Sequence, residues 1–130
     1  MIGMDIVAHG IDLIDVNRVT ALIDEHGERV LSRLFTEAER AYCQAQARRR
    51  MEHYAARFAA KEAVLKAIGT GWRNGIAWTD VEVTRQPSGE PGVRLSGRAA
   101  ALAAERGITG WRISLSHTAT QAIASVAGLG

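Results

Sequence analysis

Tyr54-Ala55-Ala56-Arg57-Phe58-Ala59-Ala60-Lys61-Glu62-Ala63-Val64-Leu65-Lys66-Ala67-Ile68 reads as one helix closed by Gly69. Tyr54, Ala55, Phe58, Ala59 and Leu65 recur at three- and four-residue steps, the apolar stripe of a helix packed on a core. Glu62 falls in the same stripe, where a carboxylate is costly unless something pairs with it. Arg57, Lys61 and Lys66 on the same helix are candidate partners, and a bound cation is another. Chemistry is expected at this helix.

Upstream, Ile6 to Ile14 is rich in β-branched residues and predicts a strand. Asp15 or Asn17 caps the next helix, which Val16, Val19, Leu22 and Ile23 make apolar on one face and Gly27 stops. Glu28 to Phe35 predicts a second short helix, and Thr36-Glu37-Ala38-Glu39 is a capping box opening a third through Cys43. The long helix runs from about Met51 to Ile68, followed by the glycine-rich loop 69–75. From Ile76 the period becomes two, with Val81 and Val83 on one face. A turn at 87–92 and the return of Val93 and Leu95 predict a hairpin. Ser96 caps an alanine-rich helix closed by Gly107; Trp111 to Leu115 alternates as a strand, and Gln121 to Ala127 pairs back on it. This order predicts an α+β fold in one domain over residues 1–130, a mostly antiparallel sheet packed with helices.

At 130 residues with 47% hydrophobic and 23% charged residues, the chain has the profile of a soluble globular domain. Net charge is only +2, which argues against nucleic acid as a partner. The charge is uneven, however: Arg48-Arg49-Arg50 precedes Arg57, Lys61 and Lys66, a concentration suited to a phosphorylated ligand. Cys43 is the single cysteine and is read as a packed thiol, so no intrachain disulfide forms. No apolar run reaches the ~18 residues of a membrane span, and the N-terminus lacks a signal-peptide pattern, so no membrane partner and a cytoplasmic location are expected.

Asp12 is a second carboxylate in an apolar setting. In Gly10-Ile11-Asp12-Leu13-Ile14, alternation puts Ile11 and Leu13 on one face and Asp12 with Ile14 on the other. Asp12 and Glu62 together point to a hard cation such as Mg²⁺, which takes one or two protein carboxylates and leaves other positions to water and phosphate. Two carboxylates beside clustered cations point to chemistry on a phosphoester or phosphoanhydride. A serine hydrolase through Ser116 and His117 lacks a nucleophile elbow and an identifiable third member. The loop at 69–71 follows a helix and is not followed by Gly-Lys-Ser/Thr, so it is no P-loop. A non-catalytic binder of acidic proteins or nucleic acid, built on Arg48 to Arg50, has too little aromatic surface for strand stacking.

Three motifs in order resemble one family. Val7-Ala8-His9-Gly10-Ile11-Asp12-Leu13-Ile14-Asp15 resembles its first motif, Arg57-Phe58-Ala59-Ala60-Lys61-Glu62-Ala63 through Gly71 its signature helix and loop, and Ser114-Leu115-Ser116-His117-Thr118 its third. The family is the holo-acyl-carrier-protein synthases, small bacterial 4′-phosphopantetheinyl transferases. The resemblance implies transfer of phosphopantetheine from coenzyme A to a serine of apo-acyl carrier protein, in the service of fatty acid biosynthesis, with release of adenosine 3′,5′-bisphosphate. It implies that Asp12 and Glu62 hold Mg²⁺, that Glu62 helps deprotonate the serine and that Lys66 stabilises or protonates the leaving group. It also implies that Arg49, Arg57 and His117 hold the CoA 3′-phosphate, and that Arg18, Arg29 and Arg33 dock the acidic carrier. Finally, it implies a homotrimer with sites between subunits, His117 serving a neighbour's site. Two departures stand out: Asp24, Glu25 and Glu28 dilute the basic docking region, and Ala8 and His9 replace a glycine and an apolar residue.

Overall fold

The computed structural model describes residues 5–72 and 75–130; Arg73 and Asn74 of the expected glycine-rich loop lie outside the described residues. Strand β1 (Ile6–Asp15) leads into α1 (Val16–His26), α2 (Glu28–Leu34) and α3 (Glu37–Gln44). A 3₁₀ turn at Ala47–Arg49 precedes the long α4 (Arg50–Ile68). Then come β2 (Val81–Arg85), β3 (Pro91–Leu95), α5 (Gly97–Glu105), β4 (Gly110–His117) and β5 (Gln121–Leu129).

The α+β class with antiparallel pairing is as expected, but the strands divide into two sheets. One is three-stranded in the order β1-β5-β4, and the β2-β3 hairpin stands apart. In the larger sheet Asp12 pairs with Ala124 and Ser114 with Ser125. The boundaries differ locally. Residues 76–80 hold a 3₁₀ turn at Trp78–Asp80, so the period of two begins only at Val81. Pro91 and Gly92, expected in the turn, open β3. Asp15 and Ser96 occupy N-cap positions without a side-chain capping bond. The α3 capping box is formed in full: Thr36 Oγ1 accepts from Glu39 N at 3.2 Å, and Glu39 Oε1 accepts from Thr36 N at 2.9 Å.

Helix α4 is the centre of the molecule. Every residue from Tyr54 to Lys61 is buried, as are Ala63, Val64, Leu65 and Ile68, so the helix is covered on nearly all sides rather than along one stripe. Its alanines shorten the distance to the sheet, and Gly10 completes the fit. A Cβ built on Gly10 would lie 1.9 Å from the Ala63 carbonyl oxygen. Gly69 ends the helix in the left-handed region at φ 88°, its N–H donating to Leu65 O at 2.9 Å.

A buried ion pair ties three elements to α4. Lys61 and Glu39, both 0% exposed, meet at 2.8 Å. Glu39 Oε2 also accepts from Val83 N at 2.8 Å, while Lys61 donates to Trp78 O at 3.2 Å and to Val81 O. Burial pulls the Lys61 ammonium below its ordinary pKa, and Glu39 is the chief opposing influence. Lys61 is therefore structural: the basic cluster expected to serve Glu62 or a ligand loses this member, because its charge is spent inside the core. Cys43 is fully buried as expected, and burial pushes its thiol up to about 12.

Because Gly10 has no room for a side chain, Gly10→Ala is expected to cost about 1–3 kcal/mol through overpacking. Urea unfolding should show this as a lower midpoint at an unchanged slope.

Candidate active site

The Gly10–Ala63 approach sets the geometry of the carboxylates. On β1, Gly10, Asp12 and Ile14 turn toward α4, while Val7, His9, Ile11 and Leu13 turn to the open face. Asp12 is thereby brought to the turn of α4 that carries Glu62 and Lys66. Lys66 Nζ donates to Asp12 Oδ1 at 2.9 Å and to Ile11 O at 3.0 Å. The i, i+4 partnership of Glu62 with Lys66 considered from sequence thus gives way to a bond across to the strand.

Glu62 is half-buried rather than wholly within the core. Burial pushes its carboxyl above the ordinary range and the Asp12 carboxylate adds to this; the Trp72 indole, Lys66 and Arg18 oppose it. Trp72 lies tilted against Trp78 at 3.5 Å between ring centroids, and Trp78 stacks against Phe58 at 5.1 Å. The Trp72 Nε1 atom is buried without a full hydrogen bond. Among the described residues no cluster of three or more His, Cys, Asp or Glu side chains forms. Two carboxylates, one half-buried with its charge disfavoured, fit a magnesium ion whose remaining positions go to water and substrate oxygens.

About 7.5 Å back along α4, at 1.5 Å per residue, lies a second site built around Arg57. Its side chain is 1% exposed, yet Nε and Nη2 have no hydrogen-bond partner, and Nη1 reaches only His53 O at 3.5 Å. The guanidinium lies 4.2 Å from the centroid of the Tyr42 ring. It opens on a pocket of about 550 Å³ between α3, α4 and β2, lined also by Thr84, Arg85, Gln86 and Arg94. Arg49, exposed in the 3₁₀ turn, His53 and Arg57 follow one another at four-residue steps, the spacing of a single helix face.

His117 belongs to this end of α4. Its Nδ1 lies 2.8 Å from Glu52 Oε1, and its ring meets His53 edge-on at 4.8 Å. Burial first, then His117, Arg57 and Arg85, hold His53 down at about 4, so it is uncharged at neutral pH. His117 thus stands against its own chain's helix. Ser116 turns to the opposite face of β4, which separates it from His117 and removes the hydrolase reading.

The three arginines expected to dock a carrier lie on α1 and α2. Arg29 and Arg33 line a cavity of about 400 Å³ with Leu22, His26, Phe58 and Trp78, whereas Arg18 lies where its charge reaches Glu62. Of the acidic residues diluting this region, Glu28 is paired with Arg40 and Glu25 lies 3.8 Å from His26. Sequence reasoning missed Tyr42, Arg85 and Trp72 at these sites; an aromatic or basic residue on a short helix, strand or loop carries no periodic signal of its own.

Residues 8–124 match the family model described as the 4′-phosphopantetheinyl transferase superfamily. The chain is 52% identical over 125 residues to the holo-[acyl-carrier-protein] synthase of Desulforudis audaxviator, covering 96% of this chain and 94% of that one. It is 47% identical over 121 residues to the enzyme of the same name from Koribacter versatilis, covering 93% and 96%. Among solved structures, the holo-[acyl-carrier-protein] synthase of Neisseria meningitidis superposes with a TM-score of 0.84 at 28% identity, covering 97% of this chain and 100% of that chain. The Helicobacter pylori synthase in complex with coenzyme A does so with a TM-score of 0.78 at 26% identity, covering 91% and 96%. The chain belongs to the holo-[acyl-carrier-protein] synthase family of phosphopantetheinyl transferases.

The raised pKa of Glu62 has a signed consequence. A carboxyl whose folded pKa lies above its unfolded one favours folding at low pH and loses that contribution as pH rises through the folded value. In the presence of chelator, Glu62→Gln is expected to melt above the wild type at pH 7–8, with the difference closing below about pH 4. Thermal unfolding across that range reads it.

Proposed function

We propose that this enzyme transfers 4′-phosphopantetheine from coenzyme A to a serine of apo-acyl carrier protein, with Mg²⁺, in fatty acid biosynthesis. The observation that carries this reading is the placing of Glu62, with Asp12 and Lys66 beside it, about one and a half turns of α4 from a buried Arg57 with unpartnered nitrogens. A ligand with a pyrophosphate at one end and a separate phosphate monoester at the other matches two anion-attracting sites on one helix. The CoA complexes among the solved relatives support the same ligand class.

Asp12 and Glu62 would hold the cation, which lowers the charge on the phosphate under attack and on the departing group. Glu62, directly or through an ordered water, takes the proton from the carrier serine as its oxygen bonds to the phosphorus next to pantetheine. The bond from that phosphorus to the bridging oxygen breaks, and adenosine 3′,5′-bisphosphate leaves with the oxygen. Lys66, already hydrogen-bonded beside Asp12, stabilises or protonates the oxygen that leaves. Arg57 holds the 3′-phosphate, with Arg49 and His117 near the same end of the helix. Arg29 and Arg33, neighbours on α2 at the wall of a largely apolar cavity, would dock an acidic carrier helix that inserts an apolar side chain, and Arg18 would steer its serine toward Glu62.

We also infer that the working form is a homotrimer with its sites between subunits. In support, the open face of the large sheet carries Val7 and Ile11, each 50% exposed, and Leu13, 59% exposed, an apolar row interrupted by His9. His117 would then lie close enough to a subunit boundary to serve a neighbour. The working location is inferred to be cytoplasmic, in keeping with one unpaired, buried thiol; among the described residues no helix is long and apolar enough to cross a membrane.

Intact-mass spectrometry of apo-acyl carrier protein incubated with the enzyme, CoA and Mg²⁺ is expected to show the gain of phosphopantetheine, abolished by chelator. No gain on any carrier would sink the reading. Asp12→Ala and Glu62→Ala should each lower turnover at least about 100-fold, since losing even a supporting group of a metal site costs up to that much, with melting behaviour showing a folded protein. Leu13→Glu should convert a trimer into monomers in sedimentation velocity, while an unchanged sedimentation coefficient would remove the open face from the interface.

A further inference from the structure

Three arginines line the pocket beside α4, and their surroundings separate them. Arg94 is neutralised: its Nε donates to Glu82 Oε1 at 3.1 Å, and Nη2 donates to the same oxygen. The second Glu82 oxygen accepts from Thr36 Oγ1 at 2.6 Å. Burial works against the charged form of Glu82, but these bonds outweigh it and hold the carboxyl below its ordinary range. Glu82 is thus committed, and it is the only carboxylate lining the pocket among the described residues.

Among the described residues, Arg57 and Arg85 are left without a carboxylate within ion-pair distance. Both guanidiniums instead lie on one aromatic ring, Arg57 at 4.2 Å and Arg85 at 4.8 Å from the centroid of Tyr42. A cation over a tyrosine ring recovers part of the lost hydration, but the ring offers no hydrogen-bond acceptor to the N–H groups. Two uncompensated guanidiniums sharing one ring repel each other, and one has two buried N–H groups with nothing to donate to. His53, edge-on to the same Tyr42 ring at 5.4 Å, stays uncharged and supplies no negative partner. The missing component of this arrangement is an anion with several oxygens.

We propose that Arg85 is a second ligand of the phosphate monoester held by Arg57, and that Tyr42 is the positioning residue that aims both guanidiniums at it. The pair reads the 3′-phosphate and so sets the preference for CoA over 3′-dephospho-CoA. This rests on the CoA reading of the site. The dianion takes charge-assisted N–H bonds from both arginines and relieves their repulsion, with Tyr42 keeping the two planes a fixed distance apart. Arg85 lies at the exposed end of β2, so its removal leaves the core untouched.

Calorimetric titration with adenosine 3′,5′-bisphosphate and with adenosine 5′-monophosphate, which differ only in the 3′-phosphate, tests this directly. Wild type should prefer the bisphosphate. Arg85→Ala should weaken the bisphosphate by roughly 10-fold or more and leave the monophosphate unchanged. Tyr42→Leu should weaken the bisphosphate while Tyr42→Phe restores it, a rescue that requires the ring face and not the hydroxyl. An Arg85→Ala protein that keeps full bisphosphate affinity, or loses both nucleotides equally, overturns the role of Arg85. A wild type that does not distinguish the two nucleotides overturns the earlier placing of the 3′-phosphate at Arg57, and Arg85 falls with it.

Discussion

The contact between Gly10 and the Ala63 carbonyl is the constraint from which the site follows. With no side chain at residue 10, β1 and α4 approach as closely as backbone against backbone allows, and a Cβ there would meet oxygen at 1.9 Å. Asp12 is the next residue along β1 on the same face, and Glu62 immediately precedes Ala63 on the helix. Closing that one contact therefore brings together two carboxylates from segments 50 residues apart in sequence, at a separation neither element could set alone. It also explains where Lys66 goes. One turn past Glu62, its ammonium meets the strand at Ile11 O and Asp12 before it meets anything on its own helix.

The cations of α4 show how position on a buried helix decides what a charge is for. Lys66 reaches solvent and carries its charge to the carboxylates. Lys61 is wholly enclosed, and its charge is tolerated because Glu39 and two carbonyls surround it. Removing either partner of such a pair costs about 3–5 kcal/mol, because the other is stranded without water. The pair also does geometric work: Glu39 takes the Val83 N–H, and Lys61 takes carbonyls at Trp78 and Val81, so β2 is fixed in register against the helix. The residues that follow on β2, Thr84 and Arg85, then form one wall of the pocket beside Arg57. Arg57 is the third case, buried with its own hydrogen-bonding capacity unspent.

Much of this was legible in the sequence because the periodic elements are strong. The extent of α4, the Thr36–Glu39 capping box, the hairpin and the two-faced reading of Gly10 to Ile14 all appear where local pattern places them, although α4 is buried on nearly all sides rather than along one stripe. Asp12 and Glu62 were visible as carboxylates in apolar surroundings. What pattern could not resolve was the fate of the other two cations. On a helical wheel only Lys66 falls beside Glu62, whereas the burial of Arg57 and Lys61 against α3 and β2 is a matter of packing that the wheel does not record. Glu39 was read for its capping role and not for its ion pair, since Lys61, which meets the capping oxygen, and Val83, which donates to the other, lie on separate elements far along the chain. The division into two sheets was equally hidden, because alternation records a buried face and not which strand lies alongside.

Strand β1 has two working faces, and the period of two forces them to be coupled. Asp12 looks inward at Glu62 while Ile11 and Leu13, its immediate neighbours, stand 50% and 59% exposed on the other side. Any association that covers the open face clamps the backbone on both sides of Asp12 at once. Rigidity matters at this position, since Asp12 is held to α4 through a lysine that is itself 55% exposed in its side chain, and exposed ion pairs hold geometry weakly. Pairing with β5 fixes Asp12 opposite Ala124, but β1 is an edge strand of its sheet, with free backbone groups on its other flank. A copy seated against the row Val7, Ile11 and Leu13 would supply the restraint that the edge position lacks. The burial of apolar surface and the ordering of a carboxylate would then be a single event, stability drawn from one face of the strand and chemistry from the other.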